Sequence, residues 1–187
     1  MKLIKYIQTT KPAGDSYYYG TYRIERLIKN APLTPEYIEK LIDSGGEDII
    51  RGVIENPFLS EKLKAKVVDK LGDYKNYETK RAVYYRLLKD GTINSDQMKA
   101  AMNPDIKLGN QILYDPELSA KIDPELLRLV PISGGNDLIR FLKLPNIPKD
   151  YVADLISSKW QQLPKNSLYE ILKSVTLPVE SIEKIWS

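Results

Sequence analysis

Two stretches of this chain interleave tyrosines with cations. Tyr74, Tyr77, Tyr84 and Tyr85 alternate with Lys75, Lys80, Arg81, Arg86 and Lys89, and Glu78 is the one acid between 74 and 89, a local charge of +4. Tyr17, Tyr18, Tyr19 and Tyr22 run into Arg23 and Arg26, and residues 1–32 also sum to +4. The whole chain is only +3, so the remainder is −5 and charge is segregated. Cations beside aromatic rings suit two kinds of partner. They hold phosphates and stack on nucleobases, and Tyr and Arg are favoured at the centre of protein–protein contacts. Some of these rings have a plainer use, because Val83, Tyr84, Leu87 and Leu88 share one helical face and can fill a core. The expected contact residues are therefore Lys75, Tyr77, Lys80 and Arg81, exposed, with Tyr84, Leu87 and Leu88 turned inward.

Other candidates are weaker. Ser44-Gly45-Gly46 and Ser133-Gly134-Gly135 each precede a helix start, where free backbone amides can cradle a phosphate. Neither continues into the Lys-Ser/Thr of a P-loop, and neither completes Gly-x-Gly-x-x-Gly. Asp48 and Asp137 place negative charge where the anion would sit. These segments are expected to be structural turns, with glycine supplying a positive φ at the helix exit. Asp43, Glu47 and Asp48 match no calcium-loop spacing, and their counterparts in the later copy of this segment are Ile132, Asn136 and Asp137. Acids in the first turn of a helix explain two of the three.

The chain has no histidine and no cysteine. The commonest general base and metal ligand are thus missing, and disulfides and thiolate metal sites are excluded. No constellation of the remaining types converges on catalysis, so no catalytic, cofactor or metal residue is assigned and no small-molecule substrate is inferred. With 42% hydrophobic and 28% charged residues, the 187-residue chain can bury a core beneath an ordinary charged surface. No apolar run is long enough to cross a membrane, and the first ten residues lack the features of a signal peptide. A cytoplasmic protein without a membrane partner is expected.

The elements that position these residues are set by a repeat. Residues 33–51 align without a gap on residues 122–140, at an offset of 89; eight of nineteen positions are identical and four more exchange aliphatic residues. In each copy a capping residue, Thr34 or Asp123, precedes Pro35 or Pro124 and then Glu36 or Glu125, the order of a helix start. Ile38, Leu41 and Ile42 form an apolar face, Ser-Gly-Gly closes that helix, and Asp48 opens a second one. Elsewhere an apolar pair is followed, with four residues intervening, by an anchoring Leu or Ile. The pairs 27–28, 53–54, 87–88, 141–142 and 171–172 lead to Leu33, Leu59, Ile93, Ile147 and Leu177, and Ile122 serves the unit between. After each anchor stands a cap or a proline: Thr34, Ser60, Asn94, Asp123, Pro148 and Pro178. The anchors are 26, 34, 29, 25 and 30 residues apart, a period typical of helical-repeat arrays. The basic, Tyr-rich stretch lies in the longest unit, where extra residues make a longer loop and loops on rigid scaffolds commonly carry function.

The residues Glu55-Asn56-Pro57-Phe58-Leu59-Ser60-Glu61-Lys62-Leu63 resemble the junction of variant leucine-rich repeats, which are bihelical solenoid units with an Asn-Pro turn between a helix and the next unit. Tyr114-Asp115-Pro116-Glu117-Leu118 and Asn30-Ala31-Pro32-Leu33 are looser versions. The mean spacing of 28.8 residues is longer than that family's unit and shorter than a HEAT or armadillo unit. The resemblance implies a macromolecule-binding protein and carries no catalytic residues with it. The expected fold is all-α: a right-handed solenoid of about five helix pairs over 17–187, with a helix near 17–30, a last short helix near 179–186 and a non-repeat arm or strand over 1–16. Trp160 and Trp186 are expected in capping or core roles. The expected activity is non-enzymatic binding of a protein partner; a nucleic-acid partner held by the Tyr/Lys/Arg helices is the alternative.

Overall fold

The computed structural model of the protein describes residues 24–159 and, beyond them, residues 161, 169, 173, 179, 182 and 183. The expected arm at 1–16, the tyrosines at 17–22, Trp160, Trp186 and the anchor Leu177 lie outside the described residues. Those described form helices and turns with no strand among them, and no helix is long and apolar enough to cross a membrane. The chain divides into two compact units, 1–86 and 87–187.

The first unit contains helical residues 24–30 (α1), then α2 (Pro35–Ser44), α3 (Glu47–Ile54), α4 (Glu61–Asp69) and α5 (Tyr77–Asp90), whose last turn crosses the boundary. The second continues with α6 (Ser95–Ala101), α7 (Leu108–Tyr114), α8 (Pro116–Ser119), α9 (Pro124–Leu127), α10 (Gly135–Leu142) and α11 (Lys149–Lys159). The helices start where the sequence places caps. The side chains of Thr34, Ser60, Asn94 and Asp123 accept N–H bonds from the first turns of α2, α4, α6 and α9, and Asn94 completes a reciprocal capping box with Gln97. The one-turn α8 was not expected. Asp115 caps it and Pro116 occupies its first position, so a segment read as a turn closes one helical turn instead.

The two copies of the repeated segment fold differently. In the first, α2 runs ten residues and buries Ile38, Leu41 and Ile42. In the second, α9 is four residues long. Position 42 of the first copy aligns with Pro131. A proline there has no N–H for the helix ladder and excludes Val130 from helical geometry, so the helix stops early. Leu127 and Val130 still reach the core as Ile38 and Leu41 do, and the Pro131 ring seats on Gly109 of α7, where a Cβ would stand 3.1 Å from Pro131 Cδ.

The glycines do not serve the purpose expected of them. Gly45 has φ −82° and Gly46 φ −71°, Gly134 is extended, and among described residues positive φ occurs at Gly91 and Lys107 instead. Gly45 is needed for space: a Cβ there would collide with the Leu41 carbonyl oxygen and stand 2.8 Å from Ile49 Cγ2. Gly52 is a second close approach, because its Cβ would stand 2.7 Å from the Glu25 carbonyl oxygen. α3 thus lies against the backbone of α1. The aligned residue in the second copy is Phe141, fully buried and packed edge-on against Tyr151 at 5.8 Å.

Several side-chain hydrogen bonds tie a segment to one roughly a repeat length earlier. Buried Asn56 donates to the carbonyls of Ile28 and Ala31 and accepts the Phe58 N–H, so the Asn-Pro junction leaves no amide atom unsatisfied. Lys70 donates to Ile42 O, Arg86 to Ile54 O, Lys121 to Lys89 O, Asn146 to Ile122 O and Lys159 to Ile132 O. Most of these carbonyls end a helix or the turn after it, where carbonyls lack intrahelical donors and a cation complements the dipole. The bonds span 24 to 32 positions.

Candidate functional site

The expected contact residues lie at the start of α5. Asn76 caps the helix, its Oδ1 accepting the Glu78 N–H at 2.8 Å. The turn before the helix is clasped from α3: Glu47 accepts the Lys75 N–H at 2.8 Å and the Asn76 N–H at 2.7 Å, one on each carboxylate oxygen. Buried Thr79 donates to the Glu47 carbonyl. The first turn is therefore fixed against α3 by both the side chain and the backbone of one residue.

This geometry exposes Lys75 and leaves the Tyr77 ring 47% exposed. Lys80 and Arg81 are half-buried rather than exposed, because they flank the inward row of Thr79, Val83 and Tyr84. Arg81 lies 3.6 Å from Glu78. Tyr84, Leu87 and Leu88 are buried, as their spacing predicts. Tyr74 is buried too; its hydroxyl donates to Val67 O, and burial, with the charges of Glu47 and Asp73, pushes its phenol up to about 12. Burial also raises Tyr84. Two of the four tyrosines of the stretch thus offer no free face for stacking. The sequence-local +4 is also offset, since Glu47, from outside the stretch, stands at its start.

The acids Asp43, Glu47 and Asp48 are not brought together. Asp43 faces Lys66 at 2.8 Å and Lys70 at 3.4 Å, Glu47 holds the α5 turn, and Asp48 pairs with Arg51 at 2.9 Å. The Lys66 hydrogen bond holds the Asp43 carboxyl below its ordinary range, and Asp43 in turn raises Lys66. The Ser-Gly-Gly turns lead into α3 and α10 with no side-chain cap. In the second, Asp137 folds back to accept the Ser133 N–H.

A pair of arginines that the sequence does not mark as functional separates the two copies. Arg51 and Arg140 are the last aligned residues of the repeat. Arg51 is 16% exposed and ringed by carboxylates: Glu25 at 3.0 Å, Asp48 at 2.9 Å and Glu78 at 3.7 Å. Arg140 has no ion-pair partner among the described residues. It lies flat on the Tyr114 ring, 3.6 Å from the centroid. Positions 25 and 114 are themselves 89 apart, so one repeat contact is made twice, first as an ion pair and then as a cation–π stack. The offset of 89, carried back to residue 25, was the signal that could have found this. The other arginine of the second unit, Arg128, is fully engaged by Glu125, Asp150 and the Tyr151 ring; these carboxylates raise it and it lowers Asp150.

Comparison with known proteins finds no matching family model, curated protein or solved structure.

Proposed function

We propose that the chain is a non-enzymatic helical-repeat protein whose stacked helix pairs, about five in a right-handed solenoid akin to variant leucine-rich repeats, bind another protein. The observation that carries this reading is the narrow reach of side-chain hydrogen bonds to the carbonyls of earlier segments, 23 to 32 positions. That is the reach expected when each unit packs on its predecessor alone, and such arrays present side chains from several units to one partner. Burial of Tyr74 and Tyr84, and the acids beside Lys75 and Arg81, favour a protein over a nucleic acid. Lys75 and Tyr77 are the exposed members of the contact set on α5, with Lys80 and Arg81 at its edge. A pull-down from the native host, with mass spectrometry of captured protein and nucleic acid, tests this. Capture of a protein that resists nuclease and survives high salt is expected; capture only of nucleic acid, lost steeply with salt, overturns it.

A further inference from the structure

The second unit carries a cation arranged for an external anion. Arg140 is held against the exposed Tyr114, and the described residues provide no carboxylate for its five N–H donors. Two acids close in sequence are committed elsewhere, Asp137 to the Ser133 N–H and Asp115 to the Leu118 N–H, while Glu117 is exposed and makes no ion pair with Arg140. Gln111 and Tyr114 are exposed three positions apart on α7, exposed Lys107 stands just before its first turn, and exposed Lys143 follows Arg140 by three positions at the end of α10, which packs on α7. Lys107 and Lys143 likewise have no ion-pair partner among the described residues. Tyr114, at 63%, is the exposed large ring of this surface.

We propose that α7 and α10 form a docking surface for an acidic segment of a protein partner. A carboxylate of that segment takes the free edge of the Arg140 guanidinium in a bidentate pair, and an apolar side chain covers the Tyr114 ring. The assignment rests on the protein-binding reading above and deepens it. Charge complementarity selects the occupant: Arg140 lies on the one exposed ring, and neither it nor the exposed Lys107 and Lys143 has an acidic partner among the described residues. A nucleic-acid strand would call for a longer track of cations and successive rings, and one exposed ring suits a short peptide.

The test uses a fluorescein-labelled peptide of Glu, Asp, Leu and Phe, the same peptide with Gln and Asn in place of its acids, and oligothymidylate, each titrated by anisotropy at low salt. The acidic peptide should bind and the amide peptide should not. Arg140→Ala and Tyr114→Ala should each weaken binding about tenfold or more, with unchanged circular dichroism. If either variant fails to fold, the surface pair Lys107→Gln with Lys143→Gln supplies the reading, and a loss of about threefold or more is expected. Equal binding of acidic and amide peptides, unchanged affinity in folded variants, or tighter binding of oligothymidylate overturns the proposal. The host pull-down separates the two levels. A partner captured equally by wild type and Arg140→Ala ends this site alone, whereas no protein captured by wild type ends the protein-binding reading.

Discussion

Residues 33–54 and 122–143 begin from closely similar sequences and reach different solutions. The first copy has a full ten-residue helix, a glycine that admits the backbone of α1, and an arginine neutralised by three acids. The second has a four-residue helix cut off before Pro131, a phenylalanine filling the aligned position, and an arginine stacked on an exposed ring. What both keep is the cap, the proline start and the inward apolar positions. The shared part therefore starts the helix and sets its inward row, while the differences fall both on buried contacts, Gly52 against Phe141, and on what surrounds the arginine.

The largest expected effect comes from forcing the first copy to resemble the second. Ile42→Pro removes a helix donor within α2 and a buried side chain, so it should cost about 3 kcal/mol or more. Urea denaturation measures it, and a loss under about 1 kcal/mol would mean that α2 does not need its full length. Next come the aligned glycines. Gly45→Ala meets the Leu41 carbonyl and Ile49 and should cost about 1–3 kcal/mol. Gly134→Ala meets nothing within 4 Å and should cost about 0.5 kcal/mol, the preference for glycine over alanine at the N-cap it forms for α10. Equal effects would remove the steric distinction.

The arginines should separate by less. Arg51→Gln strips three carboxylates of their shared cation and should cost about 1–2 kcal/mol, while Arg140→Gln should stay within about 0.5 kcal/mol. A reversed order in thermal melts would mean that the stack, and not the ion pairs, supports its copy. The smallest effect is acid sensitivity. Asp43 is held below its ordinary range by Lys66, so its contribution is present above the unfolded carboxylate value, about pH 4, and is lost as pH falls through the depressed folded value. Asp43→Asn should flatten the stability profile below about pH 4. The second copy has Ile132 at this position, so Ile132→Asn should leave that part of the profile unchanged.

Much of this was legible in the sequence. Thr34, Ser60, Asn94 and Asp123 cap helices because capping is a local event between residues two or three apart, and the inward placing of Tyr84, Leu87 and Leu88 follows from helical spacing alone. The shortened α9 was legible in principle, but Pro131 sits within an alignment whose identities pull the eye toward equivalence. The role of Gly45 was not legible, since it rests on crowding by the Leu41 carbonyl before it and the Ile49 side chain after it rather than on a positive φ of its own. Nor was the state of the basic stretch. Its charge is tempered by Glu47, 28 positions before Lys75, and no count over a local window includes that residue.

The uniform reach of the tethering hydrogen bonds bears on how the chain acquires its structure. Closing a loop costs entropy that grows with its length, and chains dominated by short-range closures fold faster than those needing distant pairings. Because these bonds span 24 to 32 positions, a donor emerging during synthesis already has its carbonyl partner behind it. It does not have to wait for residues still to be made. These closures can then form in the order of translation.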